Sequence, residues 1–384
     1  MTNNFDLNIE KILEDWDVYH GVREIIANAL DEQLLTNTAE IQIKKDKDKK
    51  WHIRDFGRGL HYNHLTQNED AEKINSNQVI GKFGIGLKDA LATFDRHGIK
   101  CMIQSKFGII TLKKLQKYGF DGLFTLHASI EDANDPYFIG TDFVFENLPD
   151  NQMEKAKSLF LKFSKDSPLE TTKYGTVLKK VGDSGIIYIN GVKVNEEEKY
   201  LFSYNITSLS AGIKKALNRE RTNVGRTAYS DRVKNILLNC KSEKVDEIMV
   251  RDIQNYEQGT NHDEMKLIEV QMYALKILNS KKKIVFINST EAKEQRNMTD
   301  QMQKSGYEIM IIPDNLKQKI NGNTDIEGNP IVDFHQFSKI YHDSFKFEFL
   351  EVEDLSPDEK IVYNSYKTLV RLIGINENTF RRKV

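Results

Sequence analysis

Along the first half of the chain, the apolar positions switch between a helical and a strand period. Over residues 18–35 they recur at helical spacing, with Ile25, Ile26, Ala29 and Leu30 on one side. Residues 39–43 alternate as a half-buried strand, the Lys- and Asp-rich run 44–50 reads as a solvated hairpin turn, and 51–55 is the returning strand. A helix is expected over 86–96, and strands over 100–104, 107–113, 122–129 and 141–147. The pattern places a further helix at 152–164 and a short one at 5–16, with Leu7, Ile9, Ile12 and Leu13 as its apolar positions. Strands in this order make a mostly antiparallel sheet with helices on one face, an α+β layer.

Residues 164–173 are polar, contain Pro168 and read as a linker. Strands follow at 176–178 and 185–194, the latter folded at Asn190-Gly191, a strong type I′ hairpin signal. Helices are expected at 208–218, 231–239 and 264–278. A strand at 283–288, a helix at 291–305 and a strand at 307–313 make a βαβ-like unit. After the Gly- and Asn-rich loop 320–330, Ser356-Pro357 starts a helix that runs to about Leu372, with Ser356 as cap and Pro357 at its first position. The expected domains are 1–165, 170–282 and 283–384.

At 384 residues, with 39% hydrophobic content, the chain is long enough for two or three cores. Its net charge of -2 gives no whole-chain electrostatic argument for a nucleic-acid partner and leaves only a local basic patch to carry one. Cys101 and Cys240 are the only cysteines, which excludes a disulfide framework. No apolar run approaches membrane-spanning length, and the polar, acidic start is unlike a signal peptide. A soluble cytoplasmic protein without membrane contact is expected.

The candidate chemistry is concentrated in the first hundred residues. On the helix over 18–35, Glu24, Asn28 and Asp31 stand at i, i+4 and i+7, within about 60° of arc. One face therefore offers two acids, able to take a proton from water, and an amide oxygen able to ligate a hard cation. After the strand at 51–53 comes Arg54-Asp55-Phe56-Gly57-Arg58-Gly59-Leu60, and later Gly81-Lys82-Phe83-Gly84-Ile85-Gly86-Leu87-Lys88. Glycines let backbone approach a ligand, and successive N–H groups opening a helix form an anion site. The second run lacks the Gly-Lys-Ser/Thr ending of a P-loop. Residues 61–79 are polar and aperiodic, the character of a lid. The histidines have no zinc-like spacing.

In this order, with Gly140-Thr141 downstream, these segments resemble the nucleotide-binding motifs of the GHKL ATPases, which include gyrase B, the large cytosolic heat-shock chaperone, histidine kinases and MutL. Residues 83–88 and 140–148 look most like the MORC branch, although Asp89 stands where MORC proteins usually carry serine. The resemblance implies a Bergerat-type sandwich of a mixed sheet with helices on one face, then a transducer-like α/β domain and a small C-terminal α/β extension. It implies ATP and Mg2+ as cofactors. Asp55 would accept the adenine amino group and share a water with the Thr141 hydroxyl. Gly57, Gly59 and Leu60 would surround base and sugar, Asn28 would ligate Mg2+, and Asp31 would belong to the nucleotide site. Gly81, Lys82, Phe83, Gly84, Ile85, Gly86, Leu87 and Lys88 would cradle the phosphates. Glu24 would activate the attacking water, and Arg219 or Arg221 would reach the γ-phosphate. The implied function is slow ATP hydrolysis driving lid closure in a homodimeric clamp that acts on DNA or a protein partner. The alternative is a nucleotide-gated interaction or sensor protein with little turnover, in bacterial antiphage defence.

Overall fold

The computed structural model describes residues 3–7, 15–65, 79–81, 86–217, 224–255, 262–344 and 352–373. The chain forms two compact units, Met1–Val245 with His262–Glu264, and Asp246–Asn261 with Met265–Val384. Both mix helices with sheets, and the fold is α+β. The boundary expected near 165 falls between the two sheets of the first unit, and the one near 282 falls inside the second unit.

The first sheet holds seven strands: β1 (Asn3–Asp6), β2 (Gln42–Lys45), β3 (Trp51–Arg54), β4 (Lys100–Ser105), β5 (Gly108–Gln116), β6 (Phe124–Glu131) and β7 (Thr141–Glu146). Their order is β1-β6-β5-β4-β7-β3-β2. Every pairing among the described residues is antiparallel. Register aligns Ile53 with Phe143, Phe143 with Ile103, and Ile103 with Ile110, which makes one apolar row across four strands.

Against that row lie α1 (Val18–Thr36), α2 (Gly86–Arg96) and α3 (Asp150–Lys157). Val22, Ile25, Ile26 and Ala29 from α1 meet Ala90, Leu91 and Phe94 from α2 in the same core. Each fully buried isoleucine or phenylalanine contributes roughly 1.5–3 kcal/mol. A methyl group added at Gly21 would lie 2.8 Å from Phe94 Cε1, so this glycine sets how closely α1 and α2 approach. The first helix starts at Asp17, whose N–H donates to His20 Nδ1 at 3.0 Å, and stops where Asn37 turns left-handed at φ 49°.

Three expectations are corrected here. Asn3–Asp6 is a strand on the edge of β6, not the start of a helix; Leu7 N–H continues the pairing to Leu126 O at 3.0 Å. Long-range pairing outweighs the local helical spacing, and residues 8–14 lie outside the described residues. The strand expected at 39–43 sits later, at Gln42–Lys45. The expected linker 164–173 is largely a strand, β8 (Ser167–Thr172), at the edge of the second sheet. An edge strand tolerates Pro168 because its missing N–H can face away from the ladder.

The second sheet adds β9 (Gly175–Lys179), β10 (Gly185–Ile189), β11 (Val192–Glu197) and β12 (Ser203–Ile206) in the order β11-β10-β12-β9-β8. In this sheet, among the described residues, β10 and β12 pair in parallel and the other pairings are antiparallel. Asn190 (φ 47°) and Gly191 (φ 79°) turn β10 into β11, the backbone a type I′ hairpin requires.

In the second unit, β13 (Ile284–Ile287) and β14 (Glu308–Ile311) pair in parallel. The helical segment between them breaks at Gln295 into Ser289–Glu294 and Arg296–Lys304. The last described helix, Pro357–Ile373, opens as expected: Glu359 N–H donates to Ser356 Oγ at 3.3 Å and Ser356 N–H to Glu359 Oε2 at 3.0 Å. The helices Glu243–Gln254, Asp314–Ile320 and Phe334–Asp343 had no clear signature in the sequence.

Candidate functional site

The acids of α1 bracket the glycine-rich segment. Asp31 is 1% exposed, and its two carboxylate oxygens accept from Ile80 N–H at 2.5 Å and Gly81 N–H at 2.6 Å. Glu24, two turns earlier on the same helix face, lies against Gly86, where an added methyl group would collide with its carboxylate. One helix face therefore fixes both ends of the run 81–86. A carboxylate accepting backbone N–H groups in a buried setting makes charge-assisted bonds, about twice as strong as neutral ones. Asn28 lies between the two acids on that face and is half-buried, as is Lys88 in the first turn of α2. Leu87 and Leu60 pack on the core. Lys82, Phe83, Gly84 and Ile85 lie outside the described residues, as do residues 66–78 of the expected lid 61–79.

Glu24 has a close partner. Arg23, itself buried, donates from Nη2 to Glu24 Oε1 at 2.8 Å and from Nε to the same oxygen at 3.1 Å. The Trp16 ring lies 5.4 Å from the guanidinium carbon on another side.

The second centre forms where β3 ends. Asp55 is 5% exposed, and its Oδ1 accepts from Gly57 N–H at 2.9 Å and, from 86 residues further along the chain, Thr141 N–H at 3.3 Å. Burial pushes its carboxyl up to about 6, and the nearby Glu32 charge adds to that, against the opposing pull of the Gly57 N–H. Gly140, at φ 78°, packs onto the Asp55 backbone; a methyl group there would collide with the Asp55 carbonyl oxygen. Gly59 also takes a left-handed φ, 87°, and lies against the Gly140 carbonyl. The loop is held from above by Glu32. Its Oε1 accepts from Arg58 N–H at 2.8 Å, its Oε2 from Arg58 Nη2 at 2.8 Å, and its side chain lies over Gly57. Ser105 Oγ donates to Leu60 O at 2.7 Å and fixes the far end.

Of the sequence-derived residues that are described, Glu24 and Asp31 meet Gly86 and the backbone of Gly81, and Asp55, Gly57 and Thr141 meet one another where β3 ends. Arg23, Glu32 and Gly140 are structural participants that were not among them. Glu32 and Arg23 sit next to the chosen acids in sequence, but what they engage is a matter of fold. Gly140 had a signal, the glycine that precedes Thr141.

The family described as the Mycoplasma pneumoniae MPN635 N-terminal domain matches residues 151–243. A Mycoplasma pneumoniae protein described as uncharacterized is 38% identical over 237 residues, spanning 60% of this chain and 95% of the relative. The chain belongs to the family of that protein. A second uncharacterized Mycoplasma pneumoniae protein is 26% identical over 247 residues, 58% of this chain and 68% of the relative.

In this mycoplasma family, the matched segment 151–243 spans the second sheet and the helix Arg226–Leu237 that follows it. Arg219 and Arg221 belong to that segment and lie outside the described residues. Arg226, the next arginine, is held by two carboxylates. Its Nε donates to Glu197 Oε1 at 3.0 Å, its Nη2 to Glu197 Oε2, and its Nη1 to Asp263 Oδ2 at 2.7 Å. Tyr229 donates its hydroxyl proton to Glu197 as well. A guanidinium committed in this way serves the local packing. Among the described residues, no group of three or more His, Cys, Asp or Glu side chains could hold a metal ion.

Proposed function

We infer that the chain binds Mg-ATP and hydrolyses it slowly, on a Bergerat-type ATPase sandwich of the GHKL kind. The observation that carries this reading is the buried Asp55, which shares its Oδ1 between Gly57 and Thr141 while Gly140 and Gly59 keep the surrounding backbone close. A carboxylate in that setting is a selective acceptor for an amino group on a flat heterocycle. The helices packed on one face of an antiparallel sheet, and the two acids of α1 that bracket 81–86, support the same reading.

In this reading Asp55 accepts the adenine amino proton, and Gly57 and Gly59 leave space for base and sugar. Backbone N–H groups entering α2 face the phosphates, helped by the helix dipole and by Lys88. Asn28 would hold Mg2+, which supplies charge neutralisation on the phosphates. Glu24 orients water and takes its proton. Positioning and charge neutralisation account for most phosphoryl-transfer catalysis, so closure of the 61–79 segment would set the rate. Dimer closure around DNA or a protein partner is the use of ATP that the MORC and MutL likeness suggests.

Calorimetry with ATP and Mg2+ tests the site. Wild type should bind, Asp55→Ala should not, and retained affinity in that variant would sink the adenine assignment. Phosphate release by wild type and Glu24→Ala tests hydrolysis, and sedimentation with a non-hydrolysable analogue tests the dimer.

One observation favours the nucleotide-gated sensor as second reading. Glu24 is ion-paired with Arg23. Two guanidinium donors occupy Glu24 Oε1, so that oxygen is not open to a water while the pair holds, which favours a state that binds ATP with little turnover. Equal, near-zero phosphate release by wild type and Glu24→Ala, with ATP bound by both, would select it.

A further inference from the structure

The β5–β6 hairpin displays a surface that the nucleotide reading leaves unused. Among the described residues, the large exposed aromatic side chains are Tyr62, Phe107, Tyr118, Phe120, Phe124 and Tyr137. Three of these six, Tyr118, Phe120 and Phe124, lie at the β5–β6 turn, and Tyr118 is 99% exposed. Single exposed apolar side chains are ordinary on a protein surface, but a local gathering of rings marks an interaction site. The turn that carries them is well formed. Lys117 N–H donates to Leu123 O at 2.8 Å, and Gly119 (φ 79°) and Gly122 (φ 77°) take the left-handed positions on either side of Phe120.

Charge gathers in the same stretch. Residues 113–124 contain Lys113, Lys114 and Lys117 against the single acid Asp121, a net charge of +2 in a chain whose total is -2. Asp121 is turned back along the hairpin, where its Oδ1 accepts from Gln116 Nε2 at 3.0 Å. Lys114 Nζ pairs with Asp95 Oδ2 at 3.1 Å, and Lys113 is exposed. The hairpin thus carries displayed rings with lysines on the strand behind them.

We propose that this hairpin binds single-stranded nucleic acid, with bases stacked on Tyr118, Phe120 and Phe124 and phosphates met by Lys113 and Lys117. Rings and cations interleaved on one exposed element are what an unpaired strand requires, since every base offers a flat face whatever its sequence. The positive local charge complements a polyanion. Insertion into a lipid bilayer is disfavoured, because Asp121 at the turn would enter the apolar layer. The inference does not rest on ATP binding.

The test is fluorescence anisotropy of a labelled oligothymidylate with the full chain. Single-strand binding falls with salt at about 0.7 log units per log unit of salt for each phosphate neutralised. With about two lysines engaged, the affinity should drop about sevenfold between 50 and 200 mM salt. The triple variant Y118A/F120A/F124A should lose at least about tenfold in affinity with an unchanged salt slope. Lys113→Gln with Lys117→Gln should flatten that slope. All these side chains sit at the surface, so an unchanged thermal melt checks that the variants fold. Asp55→Ala should bind the oligonucleotide as wild type does, which separates this inference from the nucleotide reading. No binding by wild type at roughly 100 µM, the weak end of non-specific affinity, would overturn the proposal. Equal binding by the triple variant would do the same. Hairpin-dependent sedimentation with phosphatidylserine vesicles, without oligonucleotide binding, would reassign the rings to a membrane surface.

Discussion

Replacing Asp55 with asparagine should remove a pH dependence from the stability of the first unit. The unfolded carboxyl titrates near 3.8, and burial raises the folded one to about 6. Well below pH 3.8 both states hold the proton, and Asp55 adds no penalty. As pH rises from 3.8 to about 6, the unfolded chain ionises its carboxyl while the buried one keeps its proton, so stability is lost across that window and stays lost at pH 7. The gap between 3.8 and about 6, at 1.36 kcal/mol for each pH unit, is about 3 kcal/mol. Asparagine keeps an oxygen for the Gly57 and Thr141 N–H groups and never ionises. The advantage of Asp55→Asn over wild type should therefore grow by about 2.4 kcal/mol between pH 4 and pH 7. Urea titration is the assay, followed by tryptophan fluorescence, because both tryptophans, Trp16 and Trp51, belong to the first unit. A difference between variant and wild type that stays flat across that range, within about 0.5 kcal/mol, would refute the burial argument.

ATP should bind wild type more tightly as pH rises through about 6, since a donated adenine proton requires the charged Asp55, and calorimetry at pH 5, 6 and 7 should show this as affinity rising by up to tenfold per pH unit at the acid end. Gly140→Ala forces a side chain into a left-handed backbone and onto the Asp55 carbonyl, so it should destabilise the first unit by at least about 2 kcal/mol, read as a lower urea midpoint. Asp31→Ala strips two backbone donors of their partner in a buried place; we expect a loss of about 2–3 kcal/mol and faster amide exchange at Ile80 and Gly81, and exchange equal to wild type would count against the clamp. Ile53→Ala should cost about 2–5 kcal/mol in the same urea assay, because the side chain is fully buried in the row that joins β3 to β7.

The local elements were legible because each satisfies its own period. The helix Gly86–Arg96 falls where the sequence placed it, and α1 differs from its expected span only at its last residue. The Asn190-Gly191 turn was readable because few residue pairs accept two left-handed positions in succession. Errors cluster where a segment is decided by what lies beside it. Asn3–Asp6 has no strand alternation of its own and becomes a strand because the outer edge of β6 offers it hydrogen bonds. Pro168 argued for a linker, yet the segment closes the edge of the second sheet, where a missing N–H does no harm.

For the candidate site, the sequence determined which chemical groups the chain owns and on which helix face they stand, because helical spacing alone puts Glu24, Asn28 and Asp31 together. It could not determine which groups those acids engage. Asp31 takes the backbone of Ile80 and Gly81, Glu24 takes Arg23, and Asp55 shares an oxygen with a strand that follows it by 86 residues. These pairings join residues far apart in the chain, or choose one neighbour over another, and only tertiary packing makes that choice. The same packing buries Asp55 and so sets its proton affinity, a property that no reading of residue order supplies.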